Sequence, residues 1–221
     1  MGGRGTSYGV SSIAAISPVG ISSDKVQRIH VIAGMTPEER AFVNEKTTLA
    51  FLEEKKVSYD KEQLQILDQY GFVTTAYQGG SDSVGVDNYG LSQMRGNIVT
   101  HNHPGVYGGT FSEADIATLA CGMTELRASA IEGSYSMKAT KTADPQSFHK
   151  AYVRAAPEIQ ARMTAIAEEN GKKRYKSYDA YVEENRRTQI AVIHEWYKQN
   201  AEKYGYQYAF EARERTDKGG D

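Results

Sequence analysis

Residues 97–116, NIVTHNHPGVYGGTFSEADI, constrain the fold of this chain more than any other stretch. The β-branched run at residues 98–100 predicts a strand, and His101 and His103 follow it with one residue between them. Alternate residues of a strand point to the same side, so both imidazoles should face one way. Pro104 cannot continue the strand, and the glycines after it predict a loop. The stretch therefore predicts two histidines presented together at a strand end.

Residues 112–115, SEAD, open an apolar run and predict the first turn of a helix. Two imidazoles and one carboxylate are three ligands of the kind that a catalytic zinc uses, with a fourth position left for water. Each half has a simpler explanation, because surface histidines often bind nothing and S-x-x-D is an ordinary helix-capping pattern. The two halves occur together in strand-loop-helix order, which favours a metal site. We therefore expect His101, His103 and Asp115 to hold one Zn²⁺ per chain.

The segment resembles the JAMM motif of the JAB/MPN metalloenzyme family, in which a glutamate is followed by H-x-H-P, a short loop and S-x-x-D. Here those elements are H-N-H-P at residues 101–104 and S-E-A-D at residues 112–115. The asparagine between the histidines is similar to the bacterial and phage branches, including RadC-like proteins. Residues 105–111 form a loop one residue longer than is usual in the family, which its glycines can accommodate. The resemblance covers residues 61–141.

The resemblance implies a zinc peptidase or isopeptidase that hydrolyses an amide bond with a metal-activated water. It also implies a general base, a glutamate on an earlier strand, and an oxyanion donor, which is Ser112 here. Glu62 opens a predicted strand, and the phrase E-x-x-x-I-x-D-x-x-G that starts there is similar to small bacterial members of the family. We therefore expect Glu62 and Ser112 to be the catalytic residues. Glu53 and Glu54 are alternatives for the base, but they lie at a predicted helix end.

Strand and helix signals are mixed along the chain, which predicts the α+β class. The resemblance implies a JAB/MPN-like, cytidine-deaminase-type α-β-α core with an appended helical C-terminal region. We expect a Gly/Ser-rich N-terminal segment without fixed structure at residues 1–35 and the metallohydrolase core at residues 36–142. Residues 143–221 should form a helical extension, with a final strand at residues 204–210 that returns to the sheet.

Local signals predict further elements within this frame. Thr36 caps a helix that runs to about Lys55, and two hairpins are expected within residues 62–77 and 126–137. Residues 79–84 predict a turn into another short strand, and residues 87–96 predict a loop connection.

Composition sets limits on location and partners. The net charge of −2 gives no field that would attract nucleic acid or an anionic membrane. No apolar run is long enough to span a bilayer, and no secretory signal pattern is present. The single cysteine, Cys121, suits a reducing compartment. We expect a cytoplasmic protein, in a bacterium or a phage-infected cell, that acts on a peptide or protein; the oligomeric state stays open.

Two other classes of function stay open on sequence alone. Some members of the fold have lost catalysis and serve as scaffolds, and the MGGRG opening is similar to phage head-associated structural proteins. A DNA-linked role, as suggested for the RadC-like branch, is disfavoured by the acidic balance and the absence of a basic stripe. Two histidines that converge with a carboxylate favour an enzymatic function over a scaffold role, because a scaffold has no physical need for them.

Overall fold

Six strands form one mixed sheet in the part of the protein described by the computed structural model, which covers Glu53 and residues 60–69, 71–81, 83–104 and 109–213. The strands are β1 (Gln63–Leu67), β2 (Val73–Gln78), β3 (Ile98–Asn102), β4 (Glu125–Ala130), β5 (Gly133–Ala139) and β6 (Tyr206–Ala212). Their order across the sheet is β2-β1-β3-β4-β5-β6. Only β3 and β4 run parallel, and the other neighbours are antiparallel.

Four α-helices lie wholly within the same described residues. They are α1 (Asn88–Met94), α2 (Glu113–Thr118), α3 (Pro145–Gly171) and α4 (Tyr178–Asn200). Short 3₁₀ turns at Leu119–Cys121 and Ala201–Tyr204 follow α2 and α4. The α+β class is therefore confirmed. No helix in the described ranges is long and apolar enough to cross a membrane.

Both predicted hairpins are present, because their turn residues favour the required geometry. Between β1 and β2, the Asp68 carboxylate accepts from the Phe72 N–H at 3.0 Å, and Gly71 adopts a φ of 78°. Between β4 and β5, Gly133 has a φ of 156° and its Cα approaches the β6 backbone, so a side chain there would collide with Glu211. The predicted final strand is also present as β6, which pairs antiparallel with β5.

The side chains of β3 alternate between two environments. Val99 packs with Ile116 of α2 in the main hydrophobic core, on the side of the sheet that the helices cover. Ile98 belongs to a small separate cluster on the other side. Because alternate residues share a face, His101 points towards α2 and Asn102 points away from it. All five residues of β3 are buried, so this strand is the centre of the sheet.

One hydrophobic core joins the motif region to the C-terminal elements. Its buried members include Ile116, Leu126, Tyr135, Phe148, Tyr152, Val192, Tyr197 and Tyr206. Phe148 of α3 stacks on Trp196 of α4 and on Tyr206 of β6, with ring centroids 5.8 and 5.2 Å apart. Aromatic pairs of this kind contribute about 0.5–1.5 kcal/mol beyond their buried area. Helices α3 and α4 and strand β6 thus pack directly on the elements that carry the histidines, and the division of the chain into three parts stays a prediction.

The connection from β2 to β3 differs from the sequence-based expectation. No strand occurs among the described residues between β2 and α1, and residues 87–96 contain helix α1 instead of a loop. Asp87 begins this helix: its carboxylate accepts from the Gly90 N–H at 2.8 Å and from the Tyr77 hydroxyl at 2.7 Å. Val84 and Val86 pack against the core but belong to no strand. The predicted strand and loop were therefore wrong.

Some predictions lie mostly outside the described residues. Of the helix expected from Thr36 to about Lys55, only Glu53 is described, and it is helical. Glu54, residues 1–35 and the glycine-containing positions 105–108 of the loop lie outside the described ranges.

Candidate metal centre

The carboxyl end of β3 and the first turn of α2 bring the three predicted ligands together. His101 is buried in β3, and His103 follows the strand with its N–H donating to the Ser129 carbonyl of β4 at 2.8 Å. The two imidazole rings lie edge to face, with centroids 4.8 Å apart. Asp115 approaches both rings from α2. The predicted same-side placement of the histidines is therefore confirmed.

The distances within this group are close to those between the ligand atoms of a tetrahedral metal site. The two Nε2 atoms of His101 and His103 lie 3.0 Å apart, and Asp115 Oδ1 lies 3.1 Å from Nε2 of His101. Asp115 Oδ2 lies 3.5 Å from Nε2 of His103, and one ligand atom from each residue can be chosen within 4.8 Å of the others. Zinc bonds of about 2.0–2.1 Å at tetrahedral angles would separate ligand atoms by about 3.3 Å. The group can therefore hold a metal ion without large movement.

Ser112 fixes the orientation of the Asp115 carboxylate. The backbone N–H and the hydroxyl of Ser112 both donate to Asp115 Oδ2, at 2.7 and 2.8 Å. In return, the Ser112 hydroxyl oxygen accepts from the Asp115 N–H at 3.2 Å, which completes a capping box at the start of α2. The capping interpretation of S-x-x-D is thus confirmed, and the same contacts aim the carboxylate at the histidines.

The Gly109 carbonyl determines which ring nitrogen of His103 carries the proton in the neutral form. It lies 2.7 Å from His103 Nδ1, and because a carbonyl only accepts, this hydrogen bond requires the proton on Nδ1. The Nε2 atom of a neutral His103 then carries the lone pair, which is the form needed to ligate a metal. Nδ1 of His101 is buried and has no hydrogen-bond partner in the described part of the chain. The two histidines therefore differ in how they are held.

In the absence of metal, the ionised forms of Asp115 and His103 stabilise each other. Burial of Asp115 raises its pKa, but the charges and hydrogen bonds of His101 and His103 dominate and hold that pKa well below its usual range. Burial lowers the pKa of His103, whereas its hydrogen bond and ion pair with Asp115 raise it, and the net change is upward. Metal must therefore compete with a proton for His103.

Glu62 lies beside this group, immediately before β1. In the β1–β3 ladder Leu64 lies opposite His101, and continuing that register places Glu62 opposite His103. Glu62 is two residues before Leu64, so its side chain is on the face of the sheet that carries the histidines. Glu62 as a whole residue is 8% exposed to solvent. The negative charge of its carboxylate helps to raise the pKa of His103.

The alternative base Glu53 is committed elsewhere. Its carboxylate pairs with Arg127 in a two-point contact at 2.6 and 3.2 Å, and Arg127 also binds Glu125 at 2.7 Å. Arg127 follows Leu126 of the main core by one residue, so it faces the opposite side of the sheet from the histidines. Glu53 therefore has a structural partner and does not reach the metal centre.

No sequence pattern indicated the contacts that anchor the loop before α2. The Tyr197 hydroxyl of α4 donates to the Phe111 carbonyl at 2.9 Å, and the Tyr208 hydroxyl of β6 lies 3.0 Å from the Thr110 hydroxyl. Ile190 of α4 lies beside Gly109, whose carbonyl holds His103, at a position where a Cβ on Gly109 would contact it at 3.4 Å. These contacts join residues about eighty to one hundred positions apart, so no local pattern could reveal them.

The donor set fits a divalent metal of the zinc type, since imidazole and carboxylate ligands suit zinc and also iron or manganese. His103 is oriented by Gly109, and Asp115 by Ser112, as expected for ligands that are held in place by a second layer of hydrogen bonds. No family model, curated protein or solved structure matches the chain.

Proposed function

We propose that this protein is a metal-dependent hydrolase of the JAMM type, with zinc held by His101, His103 and Asp115, and that it cleaves an amide bond. The convergence of two Nε2 atoms and one carboxylate oxygen, in a group that spans no more than 4.8 Å, carries the proposal. A scaffold has no physical need for two imidazole nitrogens that lie 3.0 Å apart beside a carboxylate.

His101, His103 and Asp115 would hold the ion through two imidazole nitrogens and one carboxylate oxygen. Zinc bound there would lower the pKa of a water molecule to about 7 and would polarise the carbonyl under attack.

Glu62 is the proposed general base. Its carboxylate lies on the histidine face of the sheet and is mostly shielded from solvent, which suits a group that takes a proton from water and returns it to the leaving amine. A positioned base of this kind typically contributes about 10²–10⁴-fold to the rate.

Ser112 is the proposed oxyanion donor. At rest its hydroxyl proton is engaged by Asp115 Oδ2, so donation to a substrate requires the proton to rotate away from that oxygen. The Ser112 backbone N–H continues to hold Oδ2 when the hydroxyl turns, and the orientation of Asp115 is therefore retained. An oxyanion donor is typically worth about 3 kcal/mol in the transition state.

Metal analysis and a peptide assay test this function together. Protein purified without chelator should contain close to one zinc per chain and should cleave members of a fluorescence-quenched peptide library or a lysine-linked isopeptide. His101→Ala with His103→Ala should remove both metal and cleavage. His149→Ala is the matched control, because His149 lies against Glu113 of α2 and is not in the ligand group. Full metal content in the double variant would refute the site, and metal without cleavage of any probe would favour the scaffold.

A further inference from the structure

Asn102 lies between the two histidines but faces the opposite side of the sheet, where it is 1% exposed. Its carboxamide binds the start of β1 with both of its ends. Oδ1 accepts from the Gln63 N–H at 2.6 Å, and the Nδ2 group donates to the Lys61 carbonyl at 3.1 Å. These two backbone groups belong to the residues immediately before and after Glu62.

The end of the β1–β3 ladder explains why a side chain is needed at this place. The regular ladder stops at the pair Leu64 and His101, and its register would place Lys61 opposite Pro104. Proline has no N–H, so it cannot donate to the Lys61 carbonyl. After β3 the backbone stays hydrogen-bonded to β4, because the His103 N–H donates to the Ser129 carbonyl. Asn102 supplies the donor and the acceptor that the backbone of β3 no longer offers.

The backbone of Glu62 itself is hydrogen-bonded to the residues that follow β2, on the opposite edge of β1 from β3. Its N–H donates to the Gly80 carbonyl at 2.7 Å, and its carbonyl accepts from the Gly79 N–H at 2.8 Å. The backbone around Glu62 is therefore fixed from β2 through its own polar groups and from β3 through its neighbours. Without the two hydrogen bonds that Asn102 makes to Lys61 and Gln63, the start of β1 could move away from the histidines.

We infer that Asn102 is a positioning residue, whose carboxamide fixes Glu62 at the metal centre by bridging Lys61 and Gln63. The inference rests on the proposed role of Glu62 as the base. A carboxamide is required because it carries one donor and one acceptor at the end of a short side chain. An aspartate in the same place keeps the acceptor for Gln63 but sets a carboxylate oxygen against the Lys61 carbonyl.

Footprinting tests the positioning without any substrate. The zinc-loaded full chain is treated with a carbodiimide and glycine ethyl ester, and mass spectrometry measures labelling of Glu62 together with amide exchange at Gln63. In Asn102→Ala and Asn102→Asp, both readouts should rise several-fold over the wild type. Unchanged labelling and exchange would overturn the inference. If the alanine variant does not fold, the nearly isosteric aspartate variant decides alone.

Ser129→Ala is the matched control for this comparison. Ser129 lies opposite Asn102 on β4, is fully buried, and its hydroxyl has no hydrogen-bond partner within the described residues. It should leave labelling of Glu62 and exchange at Gln63 at wild-type levels. A rise equal to that of the Asn102 variants would show that any change on this face loosens β1, and would overturn the specific role of Asn102.

A double-mutant cycle then tests the link to catalysis, with a peptide that the wild type cleaves. Asn102→Ala and Asn102→Asp should lower kcat by about 10–100-fold while zinc content is unchanged, because they displace the base and leave the ligands in place. In a Glu62→Gln background the same substitutions should have no further effect. An equal loss in both backgrounds would show that Asn102 acts independently of Glu62. If Glu62→Gln alone left kcat intact, the proposed base itself would be wrong.

Discussion

Asp115 divides its two carboxylate oxygens between Ser112 and His101. Oδ2 accepts two hydrogen bonds from Ser112, while Oδ1 lies 3.1 Å from His101 Nε2. Ser112 thus orients the carboxylate through Oδ2, and Oδ1 is the oxygen that we expect to bind the proposed metal. Because the same Ser112 also caps α2, the start of the helix and the geometry of the site depend on one side chain. This coupling makes Ser112 the most informative position to change.

Replacing Ser112 by Ala should lower both stability and turnover. Loss of the cap should cost about 1 kcal/mol of unfolding free energy, and loss of the oxyanion donor should reduce kcat by about 10²–10³-fold. Ser112→Thr keeps a hydroxyl but adds a methyl group at the site, so it should restore stability more fully than turnover. Thermal melting and steady-state kinetics on the three forms measure both effects.

Ser177→Ala is the control for Ser112. Ser177 caps α4 in the same manner, with its hydroxyl oxygen accepting from the Ala180 N–H at 3.2 Å, and it is not a member of the metal group. It should lower the melting temperature to a similar extent and leave kcat unchanged. A Ser112→Ala variant that melts early yet hydrolyses normally would show that Ser112 only caps the helix.

Replacing Glu62 by Gln should keep the zinc and the fold but reduce kcat by about 10²–10⁴-fold, because the shape of the side chain is retained and the proposed base is lost. Glu53→Gln is the paired variant. It breaks a buried ion pair with Arg127 and should destabilise the protein by about 3 kcal/mol, but turnover at permissive temperature should persist. The opposite pattern, with Glu53→Gln inactive and Glu62→Gln active, would show that the base is Glu53, on the other side of the sheet.

Stability should respond to pH in opposite ways with and without metal. The pKa of His103 is raised in the fold, so the ion pair with Asp115 stabilises the metal-free protein below about pH 6.5 and is lost as pH rises through the folded pKa. The pKa of Asp115 is lowered, so its contribution is present above about pH 4 and is lost as pH falls through its folded pKa.

Metal-free protein should therefore lose stability as pH rises above the His103 pKa. Zinc-loaded protein should gain stability over the same rise, because fewer protons compete with the metal. Thermal melts from pH 5 to 9 in both states measure this difference. His103→Gln should abolish the loss of stability of the metal-free form as pH rises; if that loss persisted, another group would be responsible.

The sequence predicted those parts of the site that depend on neighbours along the chain. The strand before His101, the cap at Ser112 and both hairpins follow from residue types within a few positions, and the structure contains them. Helix α1 differs from the loop predicted for residues 87–96 because Asp87 caps a helix there, although Gly90 argues against one. A side chain at Gly90 would collide with the Tyr77 hydroxyl, so packing overrides helix propensity there.

The contacts that orient the site could not be predicted from local patterns. Asn102 binds residues about forty positions earlier, and its role depends on the register of β1 against β3 and on the missing N–H of Pro104. Tyr197 and Tyr208 reach the loop before α2 from elements near the end of the chain. Such contacts exist only once the sheet and the long helices have assembled, because they join elements far apart in sequence.

The anchoring of this loop by the C-terminal elements leads to the last prediction. Tyr197→Phe removes the hydrogen bond to the Phe111 carbonyl while it keeps the ring that packs on Tyr152, at a centroid distance of 5.6 Å. A lost hydrogen bond of this kind should cost about 1–2 kcal/mol of unfolding free energy, since the buried carbonyl is left without its partner. Phe111 lies two residues from Gly109, whose carbonyl orients His103, so zinc affinity should also fall by about 10-fold.

Tyr206→Phe is the control for this change. Tyr206 is also a buried tyrosine, but it stacks on Phe148 and the structure assigns it no contact with the loop before α2 in the described ranges. It should leave zinc affinity unchanged. Competition with a fluorescent zinc chelator measures affinity, and melting of the metal-free proteins measures stability. If Tyr197→Phe lowered the melting temperature but bound zinc as tightly as the wild type, α4 would support the core alone, and the orientation of His103 would not depend on it.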